Sequence, residues 1–229
     1  MISVIVYKVW LHNMKNKQFN HLEQDVLEQI IQLRRDVRGN RFTDEVVTDE
    51  VIERILSAAV SAPSVGYSQP WEFVVIKKKE TKSKIAEIFS AENEKAKSKF
   101  GEKKTDYAQL KLEGICESPI NIAVFYKPSS EPILGQTSMM SMGEYSVVCA
   151  VQNMWLMARA LNIGVGWVSI LDPESVKNVL AVPASNQLVA YLCVGYVDEF
   201  LDKPELQILK WKDRKEQHTL VHYESYRKA

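Results

Sequence analysis

The spacing of apolar residues along the chain predicts three substantial helices. Apolar positions recur at helical spacing from Leu22 to about Arg35, and Gly39 is placed to end this helix. A second helix begins near Thr48 and ends before Pro63. A third helix, from Glu144 to Asn162, is apolar on nearly every face, so we expect it to be the central helix of the core.

Apolar runs between these helices predict buried strands. The runs cover Trp71 to Ile76, Ile120 to Tyr126, the GVGWVSI segment from Gly164, and Leu188 to Val194. Asp172 is predicted to cap a short helix with Pro173 at its first position, where the missing N–H of proline costs nothing. At 229 residues, the chain is expected to form one compact α/β or α+β unit with extensions.

Two stretches carry few apolar anchors. Residues 77 to 104 are rich in lysine and glutamate, which predicts a solvated helix or mobile flap and not a nucleic-acid-binding patch. From residue 196 onward the chain is charged without a clear period, so it has little to bury alone. We expect this C-terminal segment to wrap another surface such as a partner subunit.

Charge and cysteine usage exclude several classes of protein. Lys+Arg and Asp+Glu both number 29, so no global field attracts nucleic acid or an anionic membrane. Residues 1 to 11 are apolar, but Lys8 interrupts them and they are about half of the ~20 residues that a membrane span requires. They lack the flanks of a signal peptide, and we expect an N-terminal strand or an irregular start. Cys116, Cys149 and Cys193 form no C-x-x-C pair, which indicates a reducing, cytoplasmic compartment.

The chain lacks the signatures of several common sites. It has no P-loop, and no third glycine follows Gly164 and Gly166, so a dinucleotide fingerprint is not supported. His218 and His222 are four residues apart, but no second ligand set accompanies them, so no metal site is predicted. A G-x-S-x-G nucleophile elbow is also missing.

Arginines form the first candidate binding site. Arg34, Arg35 and Arg38 crowd the predicted end of the first helix, where two of them at i, i+3 or i, i+4 could converge on one phosphate. Cations at a helix C-terminus equally complement the helix dipole, which is worth about 0.3–1 kcal/mol. Position alone does not decide between these two interpretations.

Two loop segments shift the balance toward a ligand. Residues 62 to 71, APSVGYSQPW, contain groups that can hydrogen-bond a polyol or the edge of a heterocycle, although a plain turn would use similar residues. These groups are Ser64, Ser68 and Gln69. The GVGWVSI segment offers Gly166 for close approach and Ser169 as a hydroxyl.

Seven segments taken in order carry a resemblance to a known family. They are RRDVR, AAVSAPSVGYSQPWEFVVI, LKLEGI, EYSVVCAVQNMWLMARA, IGVGWVSILD, AYLCVGY and PELQ. Together they resemble the nitroreductase-like flavoprotein superfamily, and specifically the BluB enzymes, the 5,6-dimethylbenzimidazole synthases. The resemblance covers about residues 22 to 224. It implies an N-terminal extension over residues 1 to 21 and a flavin-binding domain over residues 22 to 229, with a C-terminal arm from about residue 196.

The resemblance implies a fold and a reaction. The fold is an α+β homodimer with a central mixed sheet surrounded by helices, and it binds FMN at the subunit interface. In the reaction, reduced FMN and O2 are consumed, the flavin ring with the first ribityl carbon becomes 5,6-dimethylbenzimidazole, and erythrose 4-phosphate leaves. The product is the lower ligand of vitamin B12. Flavin is then a substrate, and a separate flavin reductase is an open possibility as its electron source.

Residue roles also follow from the resemblance. It implies that Asp36 is a general base near the first ribityl carbon and that Ser169 orients the flavin. An internal ion pair of Asp36 with Arg38 or Arg41 is the alternative, and the sequence leaves open whether arginines or burial dominate the pKa of Asp36. The residues that the resemblance assigns to FMN are Arg34, Arg35, Arg38, Ser64, Ser68, Gln69, Gly166 and Arg214.

One departure from the family pattern keeps other functions open. A Pro-x-Met-Asp run is expected before the central helix, whereas residues 140 to 143 read Met-Ser-Met-Gly. The alternatives are an NAD(P)H-dependent FMN nitroreductase or reductive dehalogenase, and a flavin-binding module without turnover. Asp36, in place of the serine usual in other relatives, favours the synthase.

Overall fold

The computed structural model describes residues 16–99, 107, 110 and 112–226. The chain divides into two units, residues 1–33 and 34–229. In the first unit, α1 spans His21–Leu33. The Asn20 side chain accepts from the N–H of Glu23, and the Glu23 carboxylate accepts from the N–H of Asn20, both at 3.0 Å, which forms a capping box. The predicted first helix is confirmed but ends before the arginines, and the expected strand over residues 1 to 11 lies outside the described residues.

The second unit contains the remaining helices and the strands. In chain order they are α2 (Asp49–Val60), β1 (Trp71–Ile76), α3 (Lys79–Lys97), β2 (Ile120–Tyr126), α4 (Met142–Ala160), β3 (Gly164–Val168), α5 (Pro173–Leu180), β4 (Gln187–Gly195) and α6 (Glu205–Ile208). Each predicted strand is present. The predicted Asp172 cap is confirmed, because Asp172 accepts from the N–H of Ser175. The predicted start of the second helix near Thr48 is also confirmed, and Thr48 caps it by accepting from the N–H of Val51.

The four strands of the described part form one sheet in the order β1-β2-β4-β3. Every neighbouring pair is antiparallel, so the expected mixed sheet is wrong for these strands. Among the described residues, the parallel pairing is an isolated bridge between Asp36 and Val165. The segment that contains Asp36 therefore meets β3 at a single short contact and does not extend the sheet as a strand.

Helices cover both faces of the sheet. On one face α2 and α4 pack, and Val147, Val151 and Met154 of α4 are at most 1% exposed, which confirms the predicted central helix. On the other face α3 and α5 pack, and Ile85 and Phe89 of α3 are buried. The predicted helix is therefore confirmed for α3, whereas the alternative of a mobile flap is wrong for it, because one face of the helix packs on the sheet. Residues 100–104 of that stretch lie outside the described part.

The segment before α2 is held against β3 and the chain beyond β4. The N–H of Val37 donates to the carbonyl of Val165 at 3.0 Å, and the N–H of Thr43 donates to the carbonyl of Tyr196 at 2.9 Å. These bonds fix Asp36 beside β3.

The described part of the C-terminal segment carries α6 and a 3-10 turn, Gln217–Thr219, and most of its side chains are exposed. Its wrapping of a partner stays a prediction, as does a domain boundary at residue 22. No helix in the described ranges combines the length and apolar character needed to cross a membrane.

Candidate active site

Asp36 is held by groups from two parts of the chain. Its Oδ1 accepts a hydrogen bond of 3.0 Å from the backbone N–H of Trp167 in β3. Its Oδ2 lies 2.5 Å from a terminal guanidinium nitrogen of Arg38, so the ion pair considered as an alternative is present. The Asp36 side chain is 33% exposed, which leaves the carboxylate oriented yet reachable. Arg41 pairs elsewhere, with Asp198 at 3.3 Å.

Burial raises the pKa of the Asp36 carboxyl above its ordinary value of 3.8. The charge of Arg38, the N–H of Trp167 and the charge of Arg34 lower this pKa, but their combined effect is smaller than that of burial. The sequence leaves open whether the arginines or burial dominate the pKa of Asp36, and in the structure burial dominates. A carboxylate with a raised pKa is a stronger base once it is ionised.

Trp155 of α4 contacts the segment formed by residues 34 to 38, which we call the arginine segment. The Cζ of Arg34 is 4.7 Å from the Trp155 ring centroid, within the range of a cation–π contact. The Nε1–H of Trp155 donates to the carbonyl of Arg35 at 3.2 Å. The Trp155 and Trp167 rings are 6.3 Å apart at 52°. The Trp155 indole thus contacts Arg34 and Arg35, which precede Asp36, and lies near Trp167, whose N–H binds Asp36.

Arg35 faces the protein interior and is 9% exposed. Its Nε donates to the carbonyl of Leu201 at 2.8 Å, and a terminal nitrogen donates to the carbonyl of Asp202. Its other terminal nitrogen donates to the carbonyl of Arg34 at 2.8 Å. These bonds tie the arginine segment to the chain beyond β4, and a role of Arg35 at a phosphate stays a prediction.

Four arginines lie close enough together to influence one another. Burial lowers the pKa of Arg35, and the charges of Arg34, Arg214 and Arg159 lower it further, while Asp202 opposes them. The predicted helper Arg214 is therefore near Arg35. A local surplus of guanidinium groups is the electrostatic condition for an anion-binding site.

The arginines do not converge as neighbours on a helix. Arg38 has extended backbone angles, φ −101° and ψ 162°, so the expected i, i+4 convergence of Arg34 and Arg38 is wrong. Arg38 turns to Asp36, and Arg34 turns to Trp155. The cavity beside Asp36 and Arg38 has a volume of about 10 Å³, which is room for one water and not for a phosphate.

The loop over residues 62 to 71 has an unusual backbone. Gly66, Tyr67 and Gln69 have φ of 55°, 54° and 48°, in the left-handed region that non-glycine residues rarely adopt. Such conformations concentrate at functional sites. The Ser64 hydroxyl accepts from the N–H of Gln69 at 3.1 Å and closes the loop. The Ser68 hydroxyl oxygen is buried without a hydrogen bond from any described residue.

The loop lines a different cleft from the arginines. Ser68 and Gln69 border a cleft of about 250 Å³ whose other walls include Tyr126, Lys127 and Gln136. The arginines do not border this cleft. Within one chain, Ser68 and Gln69 therefore border a different cleft from Arg35 and Arg38.

Gly166 permits a close approach between β3 and the arginine segment. A Cβ at this position would lie 2.2 Å from the carbonyl oxygen of Val37. The space beside Gly166 is thus filled by the protein's own backbone, and a flavin contact of Gly166 stays a prediction. Ser169 follows β3 directly and is exposed.

Comparison with known proteins identifies the family. The model of the nitroreductase family matches residues 31–196. The chain belongs to the nitroreductase family. This nitroreductase-family protein is 43% identical over 195 residues to the 5,6-dimethylbenzimidazole synthase of Rhodospirillum rubrum, covering 84% of this chain and 92% of that one. It is 34% identical over 198 residues to the 5,6-dimethylbenzimidazole synthase of Rhodobacter capsulatus, covering 85% of this chain and 95% of that one.

The fold of this nitroreductase-family protein is similar to that of solved relatives. A crystal structure of oxidized iodotyrosine deiodinase bound to FMN and 3-iodo-L-tyrosine superposes with a TM-score of 0.70. The two sequences are 22% identical, and the match covers 87% of this chain and 100% of that one. The predicted α+β nitroreductase-like fold is confirmed.

Several contacts of the site were missed by sequence reasoning. Trp155, Arg159 and Ser146 all lie on α4, the helix that its apolar pattern marks as core. Ser146 accepts from the N–H of Val65 at 3.1 Å and anchors the loop. The sequence carries part of this signal, because Ser146 and Arg159 are two of the few polar residues in a largely apolar helix. Among the described residues, no group of three or more His, Cys, Asp or Glu side chains could hold a metal ion.

Proposed function

We propose that this nitroreductase-family enzyme is a 5,6-dimethylbenzimidazole synthase that fragments reduced FMN with O2 and releases erythrose 4-phosphate. The observation that carries the proposal is the 43% identity to the Rhodospirillum rubrum synthase over 92% of that protein. Two Rhodobacter capsulatus proteins with the same name match 95% of their length. FMN is then the substrate, and the chemistry consumes it.

The arginine cluster fits the phosphate end of FMN. The Arg34 guanidinium lies over the Trp155 ring, and no ion pair of Arg34 is recorded within the described part of the chain. Its in-plane N–H groups therefore suit bidentate recognition of phosphate oxygens. Arg214 is exposed and adds a second cation. We assign the phosphate to these two residues, with Arg35 and Arg38 adding positive charge from the sides.

The loop over residues 62 to 71 fits the ring end of FMN. Ser64, Ser68 and Gln69 supply hydroxyl and amide groups there. Ser68 and Gln69 border one cleft of the chain, whereas Arg35 and Arg38 border another, which supports a flavin site shared by two subunits. In a homodimer the loop of one subunit can face the arginines of the other. The exposure of Tyr67 (82%) and Met140 (68%) supports a covered surface near the loop.

Asp36 has the properties of the base that the reaction needs. Fragmentation requires removal of a proton from the first ribityl carbon, and a positioned carboxylate with a raised pKa can accept it. The N–H of Trp167 and the guanidinium of Arg38 hold the carboxylate in place for this step. Ser169, at the end of β3, supplies a hydroxyl to orient the ring.

The electrons of reduced FMN come from outside this site. We assign them to a separate flavin reductase in the cytoplasm, where Cys116, Cys149 and Cys193 remain free thiols.

The test is to incubate the purified protein with excess chemically reduced FMN in air and to separate the products by chromatography. Dimethylbenzimidazole and erythrose 4-phosphate in equal amounts support the proposal. Unchanged flavin together with rapid NADPH oxidation would instead identify an enzyme that recycles its flavin. Unchanged flavin without NADPH oxidation would identify a binding protein without turnover.

A further inference from the structure

Trp155 is fixed by the core and not by the binding site. It lies on α4 and is 8% exposed, and its helix neighbours Val151, Met154 and Ala158 are at most 1% exposed. Close-packed side chains in such positions keep a single rotamer. The indole therefore presents a ring of fixed orientation to the arginine segment.

The Arg34 guanidinium lies over this ring. The Arg34 Cζ lies 4.7 Å from the ring centroid, a distance at which the ring's negative face attracts the cation. The five N–H groups of a guanidinium point outward in its plane, and the indole ring has no lone pair to accept them, so they remain available for an anion. A long flexible side chain otherwise loses rotamer freedom when it binds a ligand, and a preformed contact lowers this cost.

The backbone of the same segment is also fixed from Trp155. The Trp155 Nε1–H donates to the carbonyl of Arg35 at 3.2 Å, and the Arg35 side chain binds the carbonyls of Leu201 and Asp202. The peptide between Arg35 and Asp36 is thus held by the indole. Trp155 therefore contacts the Arg34 guanidinium and also holds the backbone one residue beyond Arg34, and neither contact needs the ligand.

We infer that Trp155 is a positioning residue for FMN: it holds Arg34 so that the guanidinium edge meets the phosphate. This inference rests on the proposed function, in which FMN is the ligand. The role of Trp155 is in binding the phosphate, so it can be measured without catalytic turnover. It predicts that Trp155 matters for FMN and much less for riboflavin, which has the same ring and ribityl chain without the phosphate.

The experiment measures dissociation constants of oxidised FMN and riboflavin by quenching of flavin fluorescence, without turnover. The readout is the ratio of the riboflavin constant to the FMN constant, in which effects on the ring site cancel. The wild type should prefer FMN at least about tenfold, since charge-assisted hydrogen bonds hold the phosphate. Trp155→Leu should lower the ratio about three- to thirtyfold, the range of a cation–π contact, and Trp155→Phe, which keeps a ring, by less.

A double-mutant cycle tests whether Trp155 acts through Arg34. Arg34→Met should lower the ratio about tenfold in the wild type but less than about threefold in the Trp155→Leu background. Phe89→Leu is the matched control, because Phe89 is a buried aromatic residue (5% exposed) in the core on the other face of the sheet, and no contact with the arginines is recorded for it among the described residues. Its ratio should equal that of the wild type.

Additive effects of Trp155→Leu and Arg34→Met on the ratio would overturn the positioning role. An equal loss of affinity for FMN and riboflavin in Trp155→Leu would also overturn it. If Trp155→Leu does not fold, the same cycle is run with Trp155→Phe. A wild type that binds neither flavin would overturn the proposed function as well. If the wild type forms dimethylbenzimidazole but the effects of Trp155→Leu and Arg34→Met on the ratio are additive, only the role of Trp155 is overturned.

Discussion

The backbone N–H of Trp167 donates a 3.0 Å hydrogen bond to Oδ1 of Asp36, and these residues are 131 positions apart in the chain. The donor is a main-chain group of β3, so its position is set by the sheet and does not depend on side-chain motion. The other carboxylate oxygen meets the guanidinium of Arg38. The acid is therefore oriented by the fold itself before any ligand binds.

Replacement of Asp36 by asparagine should separate binding from chemistry. In Asp36→Asn the amide oxygen still accepts from Trp167, so FMN affinity should remain within about threefold of wild type. The amide cannot accept a proton, so dimethylbenzimidazole formation should fall by at least about a hundredfold. Single-turnover assays with reduced FMN measure this loss. Unchanged turnover would remove the general-base assignment.

The same variant should be more stable than the wild type at neutral pH. The pKa of Asp36 is raised by folding, so the contribution of this group to stability is present below the unfolded value of 3.8 and is lost as pH rises through the folded value. At neutral pH the folded wild type thus carries an unfavourable ionised carboxylate. Urea unfolding of Asp36→Asn should show greater stability near pH 7 and no advantage near pH 3. Lower stability at both pH values would contradict the direction of the shift.

Arg38 should set the pH at which activity appears. Among the groups that lower the pKa of Asp36, the charge of Arg38 is the largest, so Arg38→Met should raise that pKa further. A base must be deprotonated, so the acid limb of kcat against pH should move to higher pH. Arg41→Met is the control, because Arg41 pairs with Asp198 and Glu199. A limb that moves equally in both variants would rule out the local effect.

Sequence patterns predict the local elements of this fold because their causes are local. The caps at Thr48 and Asp172 depend on residues three positions away, and the strands depend on short apolar runs. The packing of α3 on the sheet is not predicted, because the many lysines of this helix leave few apolar residues to indicate a buried face. Lys82 is buried along its stem and donates to the carbonyl of Ser118 at 2.7 Å.

The candidate site was predicted as a set of residues but not as an arrangement. The arginines were grouped because they are neighbours in sequence, yet α1 ends at Leu33 and the following backbone is extended at Arg38. The contacts that decide the arrangement are long-range, such as Arg35 with Leu201, which is 166 residues away. A local pattern contains no information on such a contact.

Arg35 and Arg34 should differ in what they stabilise. The buried Arg35 guanidinium satisfies three carbonyls, so Arg35→Met should lower the free energy of unfolding by about 2–3 kcal/mol. Arg34→Met is the matched control and should change this free energy by less than about 1 kcal/mol, since the partly exposed Arg34 side chain loses one cation–π contact. Urea denaturation measures both. Equal losses would contradict a structural role specific to Arg35.

Two serines of the loop should give opposite results. Ser68 has a buried hydroxyl oxygen without a described partner, so Ser68→Ala should leave thermal stability unchanged or higher while FMN affinity falls about three- to tenfold. Ser64 accepts from the N–H of Gln69, so Ser64→Ala should lower thermal stability as well as affinity. Scanning fluorimetry and flavin titration measure the pair. A loss of stability in Ser68→Ala without a change in affinity would reverse the assignment.

Gly166 should tolerate no side chain, because the backbone of the arginine segment occupies that space. A Cβ there would lie 2.2 Å from the carbonyl oxygen of Val37 and 3.9 Å from Oδ1 of Asp36. In Gly166→Ala the segment must move away from β3, which should break the bond between Val37 and Val165 and cost about 1–3 kcal/mol. Because Asp36 moves with it, product formation should fall together with stability, measured by urea unfolding and chromatography. Full activity in a stable Gly166→Ala protein would show that Asp36 does not depend on this contact.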